Sequence, residues 1–139
     1  MSEEDAVAVR IVSEMFVHDR AARSMGIEVL DAAAGFARVA FVVRDDMLNA
    51  AGSCHGGYLF ALADTAFGYA CNSHGGAWVA LQCSISFSAP GRPGARLVAT
   101  AHERTRGGRT GIYDIEIADE AGATVGLFRG TSYRVSRDA

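Results

Sequence analysis

One carboxylate interrupts the most apolar segment of this chain. Between Tyr58 and Cys71 the only charged residue is Asp64, and Thr65 and Asn72 add two polar groups to the same segment. An unpaired carboxylate costs several kcal/mol to bury, and desolvation makes it a stronger base. Asp64 therefore has two interpretations. It is a functional carboxylate whose basicity is raised by desolvation, or it is a structural group that forms a hydrogen bond or faces solvent at a subunit edge.

The apolar segment begins with His55, Gly56 and Gly57. At the start of a helix the backbone N–H groups are free and the helix dipole is positive, and glycine lets a ligand approach the backbone closely. Such a helix end can hold an anion or polarise a carbonyl group, as an oxyanion hole does. The alternative interpretation is an ordinary glycine-rich turn into a helix.

The spacing between these two groups constrains any shared chemistry. Gly56 and Asp64 are eight residues apart, which corresponds to about 12 Å along a helix axis. One reacting carbonyl group cannot contact both within a single helix, because reacting atoms must approach to about 3.5 Å. Antiparallel helices at a two-fold axis would place Gly56 of one subunit against Asp64 of the other, in two equal sites. If both groups serve one reaction, the sequence predicts at least a homodimer.

Hydrophobic periodicity predicts the order helix, two strands, long helix, four strands. Residues 3 to about 19 have apolar residues at helical spacing, and residues 26–43 read as two strands around a turn near residues 34–35. The long helix runs from about residue 56 to residue 72. Alternation with period two then predicts strands within residues 77–90, 96–105, 111–119 and 123–135.

A helix that is apolar on every side must be covered on most sides, and one short N-terminal helix cannot do that. A curved antiparallel sheet of about six strands would wrap it. The sequence therefore predicts an α+β fold with a long central helix, a curved sheet and an N-terminal helix, in one domain spanning residues 1–139.

Composition excludes several classes of function. The chain is half apolar, and its net charge of −3 provides no basic surface for nucleic acid. Cys54, Cys71 and Cys83 form an odd set without metal-ligand spacing, which fits a reducing cytoplasm. The four histidines fall on four different predicted elements, so we expect no metal site. The acidic N-terminus lacks a signal-peptide pattern, and the apolar run at residues 58–70 is too short to span a bilayer.

Two segments resemble the hotdog-fold thioesterases of the phenylacetic-acid degradation type, the PaaI family. They are "MLNAAGSCHGGYLFALADTAFGYACNS" and "GIYDIEIADEAGATVGLFRGTSYRV", and the similarity extends from about Asp45 to Val135. The combination is specific: an asparagine, then His-Gly-Gly six residues later, then Leu-Ala-Asp-Thr-Ala-Phe on the helix. The resemblance implies the hotdog fold and hydrolysis of acyl-CoA thioesters, with phenylacetyl-CoA or hydroxyphenylacetyl-CoA as the family's expected substrates.

The resemblance also implies roles for four residues. The helix aspartate of the family is the general base or nucleophile, and it corresponds to Asp64. The first glycine after the histidine donates its N–H to the thioester carbonyl, and it corresponds to Gly56. The histidine and the preceding asparagine hold the water and the loop, and they correspond to His55 and Asn49. A serine or threonine used by some relatives corresponds to Ala80, so that role is left unassigned.

Further expectations concern the substrate and the assembly. Coenzyme A carries phosphates, so the resemblance implies cationic residues near the site, and Arg109 and Arg129 are candidates for substrate binding together with Gly57, Thr65 and Asn72. Family members are usually tetramers made of two dimers. Coenzyme A is part of the substrate, so no separate cofactor, metal ion, nucleic acid or membrane partner is expected.

Two other functions are compatible with such a fold. A hotdog hydratase would have an aspartate five residues before the histidine, where this chain has Ala50, and a dehydratase would have a glutamate further along the helix than Asp64. A non-catalytic acyl-CoA-binding protein would lack the helix carboxylate or carry an additional DNA-binding domain. The presence of Asp64 and the chain length favour the thioesterase.

Overall fold

The computed structural model describes residues 1–138 and contains three α-helices. Helix α1 covers Glu3–His18, α2 covers Arg20–Ser24 and α3 covers Gly56–Asn72. The predicted N-terminal helix ends one residue earlier than expected and is followed by the separate α2. The break lies at Asp19, whose backbone leaves the helical conformation and whose side chain accepts the Ala22 N–H at 3.0 Å to begin α2.

Six strands form one antiparallel sheet, which confirms the predicted architecture. The order across the sheet is β1-β2-β4-β5-β6-β3. The strand bounds are β1 Glu28–Ala33, β2 Phe36–Val42, β3 Ala77–Phe87, β4 Arg96–Arg106, β5 Thr110–Ala118 and β6 Thr124–Ser136. A short 3₁₀ turn at Asp45–Met47 precedes the loop that leads into α3.

Helix α3 packs against the inner face of the sheet and forms the centre of the core. Phe67 meets Tyr113 and Phe128 with ring centroids 5.8 and 5.9 Å apart, and Phe60 meets Phe128 at 5.1 Å. Aromatic pairs in these tilted and edge arrangements contribute roughly 0.5–1.5 kcal/mol each beyond their buried area. Gly130 provides room for the Phe67 ring, since a Cβ atom there would lie 2.8 Å from two ring carbons. The sheet thus fixes the rotation of α3.

Strand alternation separates the two faces of the sheet. On β5, Tyr113, Ile115 and Ile117 are buried against the helix, whereas Asp114 and Glu116 point away from it. On β3, by contrast, the Phe87 side chain at the end of the strand is 55 % exposed.

One edge of the sheet is long and apolar. Strand β3 lies at the edge, pairs only with β6 and spans eleven residues. Its side chains Val79 and Leu81 are 48 % and 61 % exposed. A long apolar edge strand is a template for pairing with another chain.

Within residues 1–138, none of the helices combines the length and the hydropathy that a membrane crossing requires.

We expect Gly130→Ala to lower the free energy of unfolding by about 1–3 kcal/mol, because the added methyl group would collide with Phe67 in a packed core. Thermal unfolding followed by circular dichroism measures the effect. Gly108→Ala is the matched control, since no heavy atom of residues 1–138 beyond its chain neighbours lies within 4 Å of a Cβ there. Equal melting temperatures for the two variants would contradict the packing of Phe67 on Gly130.

Candidate active site

The first turn of α3 leaves one backbone donor free. The Nδ1 atom of His55 accepts the Gly57 N–H at 2.9 Å, and the His55 carbonyl accepts the N–H groups of Tyr58 and Leu59 at 3.0 and 3.3 Å. The Gly56 N–H has no hydrogen-bond acceptor among residues 1–138. Histidine thus caps the helix and leaves Gly56 as the donor available to a bound oxygen. The Gly57 N–H is already bonded to His55, and the contact of Gly57 with substrate stays a prediction.

The loop before α3 is held by Asn49. Its side-chain oxygen accepts the N–H groups of Ala51 and Ser53 at 3.0 and 3.1 Å. Two backbone hydrogen bonds hold the end of the loop. The His55 N–H donates to the Met47 carbonyl at 2.7 Å, and the Cys54 N–H donates to the Gly91 carbonyl at 2.8 Å. Asn49 therefore holds the loop that leads into the helix.

A surface cavity of about 510 Å³ opens beside Gly56. Asn49, Ser53, Leu59 and Phe87 contribute to its walls. The Phe87 ring covers the glycine closely, because a Cβ atom at Gly56 would lie 3.0 Å from its Cζ atom. Phe87 itself is more than half exposed.

Asp64 lies in a different and smaller groove of about 270 Å³, between α3 and the α1–α2 junction. Met15, Met25 and Tyr69 form parts of its walls. Burial raises the pKa of the Asp64 carboxyl, and the negative charge of Asp19 raises it further. Neither a hydrogen bond nor a cation from residues 1–138 offsets these effects. The site therefore contains a carboxylate with high proton affinity and free lone pairs, which is the property of a general base.

The structure separates the two groups within one chain. Gly56 and Asp64 line different cavities and lie on one uninterrupted helix, so the rise of about 1.5 Å per residue keeps them about 12 Å apart. A site that uses both must take one from a second chain.

Two further candidate residues on α3, Thr65 and Asn72, hydrogen-bond to backbone groups, and Thr65 also lines the groove of Asp64. The Thr65 hydroxyl donates to the Ala61 carbonyl at 2.8 Å. The Asn72 amide nitrogen donates to the Gly68 and Trp78 carbonyls at 2.9 and 3.1 Å, and its oxygen accepts the Trp78 N–H at 3.0 Å. Asn72 thus joins the end of α3 to β3, and its contact with substrate stays a prediction.

The two candidate arginines also lie away from both cavities. Arg129 is on the outer face of β6, where its guanidinium forms a two-pronged ion pair with Asp114 at 2.6 and 2.8 Å. The neighbouring residue Phe128 points inward, so strand alternation turns Arg129 away from Asp64. Arg109 is exposed at the β4–β5 hairpin and donates to the Tyr133 hydroxyl at 3.0 Å.

No group of three His, Cys, Asp or Glu side chains within the described part of the chain has the geometry of a metal site.

Asp19 is a residue of this region that sequence reasoning missed. It lines the Asp64 groove and accepts the Tyr69 hydroxyl at 2.8 Å. Its position before α2 is a sequence signal for a helix cap. Its proximity to Tyr69, 50 residues later, exists only in the folded chain.

Comparison with known proteins identifies the family. Residues 51–125 match the family model described as the thioesterase superfamily. The chain belongs to this superfamily. It is 51 % identical over 121 residues to the acyl-coenzyme A thioesterase PaaI of Escherichia coli strain K12, a match that covers 87 % of this chain and 86 % of that protein. The predicted PaaI-type thioesterase is therefore confirmed.

Solved thioesterase structures confirm the hotdog fold. The structure of the E. coli PaaI protein from the phenylacetic acid degradation operon superimposes with a TM-score of 0.95 at 47 % identity, covering 96 % of this chain and 97 % of that chain. A hypothetical thioesterase from Streptococcus pneumoniae TIGR4, solved with coenzyme A, has a TM-score of 0.78 at 28 % identity and covers 81 % and 91 % of the two chains.

We expect Asn49→Ala to lower the free energy of unfolding by about 1–2 kcal/mol and to reduce thioesterase activity, because two loop N–H groups lose their acceptor. Asn49→Asp retains the accepting oxygen and is the matched control for the loop. Chemical denaturation and thioester hydrolysis measure the two effects. An alanine variant as stable as the parent would show that Asn49 does not hold the loop.

Proposed function

We propose that this chain hydrolyses acyl-CoA thioesters, with phenylacetyl-CoA or hydroxyphenylacetyl-CoA as the preferred substrates. The observation that supports the proposal most strongly is the pair of unsatisfied groups on α3, the free Gly56 N–H and the partly buried Asp64 carboxylate. The name of the E. coli relative supports coenzyme A thioesters as the substrate class. That relative comes from the phenylacetic acid degradation operon, which supports an aryl-acetyl group as the acyl part of the substrate.

The chemistry follows from these two groups. The Gly56 N–H donates to the thioester carbonyl oxygen and stabilises the negative charge that develops there. Asp64 removes a proton from water as the oxygen attacks the carbonyl carbon, and the carbon–sulfur bond then breaks. The proton passes to the leaving thiolate, so the products are a carboxylic acid and coenzyme A. In the alternative route Asp64 attacks directly, and water cleaves the resulting mixed anhydride.

The proposed active unit is a homodimer in which Gly56 of one subunit faces Asp64 of the other. The exposed edge of β3 supports this assembly, because two such edges related by a two-fold axis pair in antiparallel fashion. Antiparallel pairing reverses one protomer relative to the other and so brings opposite ends of the two α3 helices together. A tetramer of two such dimers is the corresponding proposal for the full assembly.

We propose that the enzyme acts in the cytoplasm and needs no cofactor beyond the coenzyme A of its substrate. Three free cysteines support a reducing compartment.

Asp64→Asn should lower kcat by about 10²- to 10⁴-fold, because the amide cannot accept the proton of water. Release of free coenzyme A thiol measures turnover, and equilibrium binding of a thioether analogue tests whether the substrate site persists. Parental turnover by this variant would overturn the assignment of the base.

The same substitution should stabilise the fold at neutral pH. The folded-state pKa of Asp64 lies above the ordinary value of 3.8, so ionisation of this carboxyl lowers stability as pH rises through the folded-state pKa. Asp64→Asn should therefore have a higher Tm than the parent near pH 7, and the difference should vanish once the pH falls below 3.8. A lower Tm for the variant at neutral pH would show that a favourable partner holds the carboxylate.

Mixed dimers test the shared site. Gly56→Pro removes the N–H while proline remains acceptable at the first helical position. A mixture of Gly56→Pro and Asp64→Asn subunits should recover about a quarter of the parental sites, since half the dimers are hybrids with one intact site each. Gly56→Ala changes the same residue but retains its backbone N–H, so it is the matched control for Gly56→Pro. Absence of recovery after subunit exchange has been verified by mass spectrometry would refute the shared site.

A further inference from the structure

Asp19 connects the N-terminal helices to α3. Its Oδ1 atom accepts the Ala22 N–H at 3.0 Å and its Oδ2 atom accepts the Tyr69 hydroxyl at 2.8 Å. Burial, followed by the hydrogen bond to Asp19, raises the pKa of Tyr69, so that its hydroxyl keeps the proton that it donates. Two donors from different elements therefore hold the carboxylate of Asp19 in place.

Asp19 and Asp64 line the same groove of about 270 Å³. Much of the remaining lining is apolar, from Met15, Met25 and Ala61 among others, and no lysine, arginine or histidine is among the groove-lining residues of the described chain. Low polarity strengthens the electrostatic interaction between charges that share such a groove. Asp64 therefore has a second carboxylate as a neighbour and lacks a cation that would compensate for it.

The other titratable groups near Asp64 carry no charge at neutral pH. Tyr69, from α3, donates to Asp19. Burial and then the charge of Asp64 raise the pKa of Cys71, on α3, to about 12, and they also raise the pKa of Cys83, on β3. Both thiols are therefore protonated, and Asp19 supplies the negative charge that acts on Asp64.

We propose that Asp19 is a positioning residue for the thioesterase reaction, whose fixed carboxylate strengthens Asp64 as the base. The proposal rests on the proposed role of Asp64. Repulsion between the two carboxylates makes protonation of Asp64 more favourable, which is the driving force for removing a proton from water. Asp19 acts without touching the reacting atoms. It also links the fold of the N-terminal segment to catalysis, since the same side chain caps α2.

Asp19→Asn removes the charge and preserves most of the structure. Asparagine is as good a helix cap as aspartate, and its oxygen can still accept a hydrogen bond. The acidic limb of the pH profile of kcat/KM should move to lower pH by at least about half a unit, because Asp64 then ionises more readily. Titration of the Asp64 carboxyl by ¹³C NMR should show the same shift without any turnover.

Two control variants separate the effect of the Asp19 charge from the effects of its hydrogen bond to Tyr69 and of the net charge of the protein. Tyr69→Phe removes a hydrogen bond but keeps the Asp19 charge, so it should leave the acidic limb in place. Asp45→Asn makes the same change in net charge at an exposed residue of the 3₁₀ turn, and it should also have no effect. An acidic limb in Asp19→Asn that coincides with the parental one would overturn the proposal, as would an equal shift in either control.

Refutation of the role of Asp19 can be distinguished from refutation of Asp64 as the base. If Asp64→Asn is inactive while Asp19→Asn keeps the parental acidic limb and Asp64 titration, only the role of Asp19 is refuted. If Asp64→Asn retains parental turnover, the base itself is misassigned and the role of Asp19 falls with it.

Discussion

The straight central helix is the constraint on which the rest of this molecule depends. Helix α3 is covered by the sheet along most of its length, so its rotation and its position are both determined by packing. Its fixed rise of about 1.5 Å per residue keeps Gly56 and Asp64 apart. No rotation of a side chain can bring the backbone amide of one to the carboxylate of the other. The two groups could form a single site only if a second copy of the chain supplied one of them.

The polar groups of α3 divide into those that are satisfied and those that are left free. His55 and Thr65 direct their side chains to backbone groups of the helix, and Asn72 directs its side chain to the backbone of β3. The Gly56 N–H and the Asp64 carboxylate have no such partner among residues 1–138. A partly desolvated carboxylate without a protein partner lowers stability, and sites that bind or react are where such a loss is tolerated. This contrast separates the candidate catalytic groups from polar neighbours that serve the fold.

The groove of Asp64 shows how the two N-terminal helices can contribute to a site on the central helix. The break between α1 and α2 places Asp19 opposite α3, and its bond to Tyr69 spans 50 residues of sequence. The side chain of Asp19 thus both caps α2 and lines the groove of Asp64, the candidate base. Under the proposed role of Asp19, a change at this residue would alter both the cap of α2 and the environment of Asp64.

The sequence by itself determined the element order, the long apolar helix, the single acid within it and the glycine donor at its start, because periodicity, spacing and chain chirality are local properties. Tertiary structure alone decided which polar side chains remain available. Strand alternation turned Arg129 outward, folding placed Trp78 against Asn72, and the packing of α1 and α2 put Asp19 beside Asp64. These contacts join residues that lie on different elements, and a linear pattern carries no information on which of them will meet.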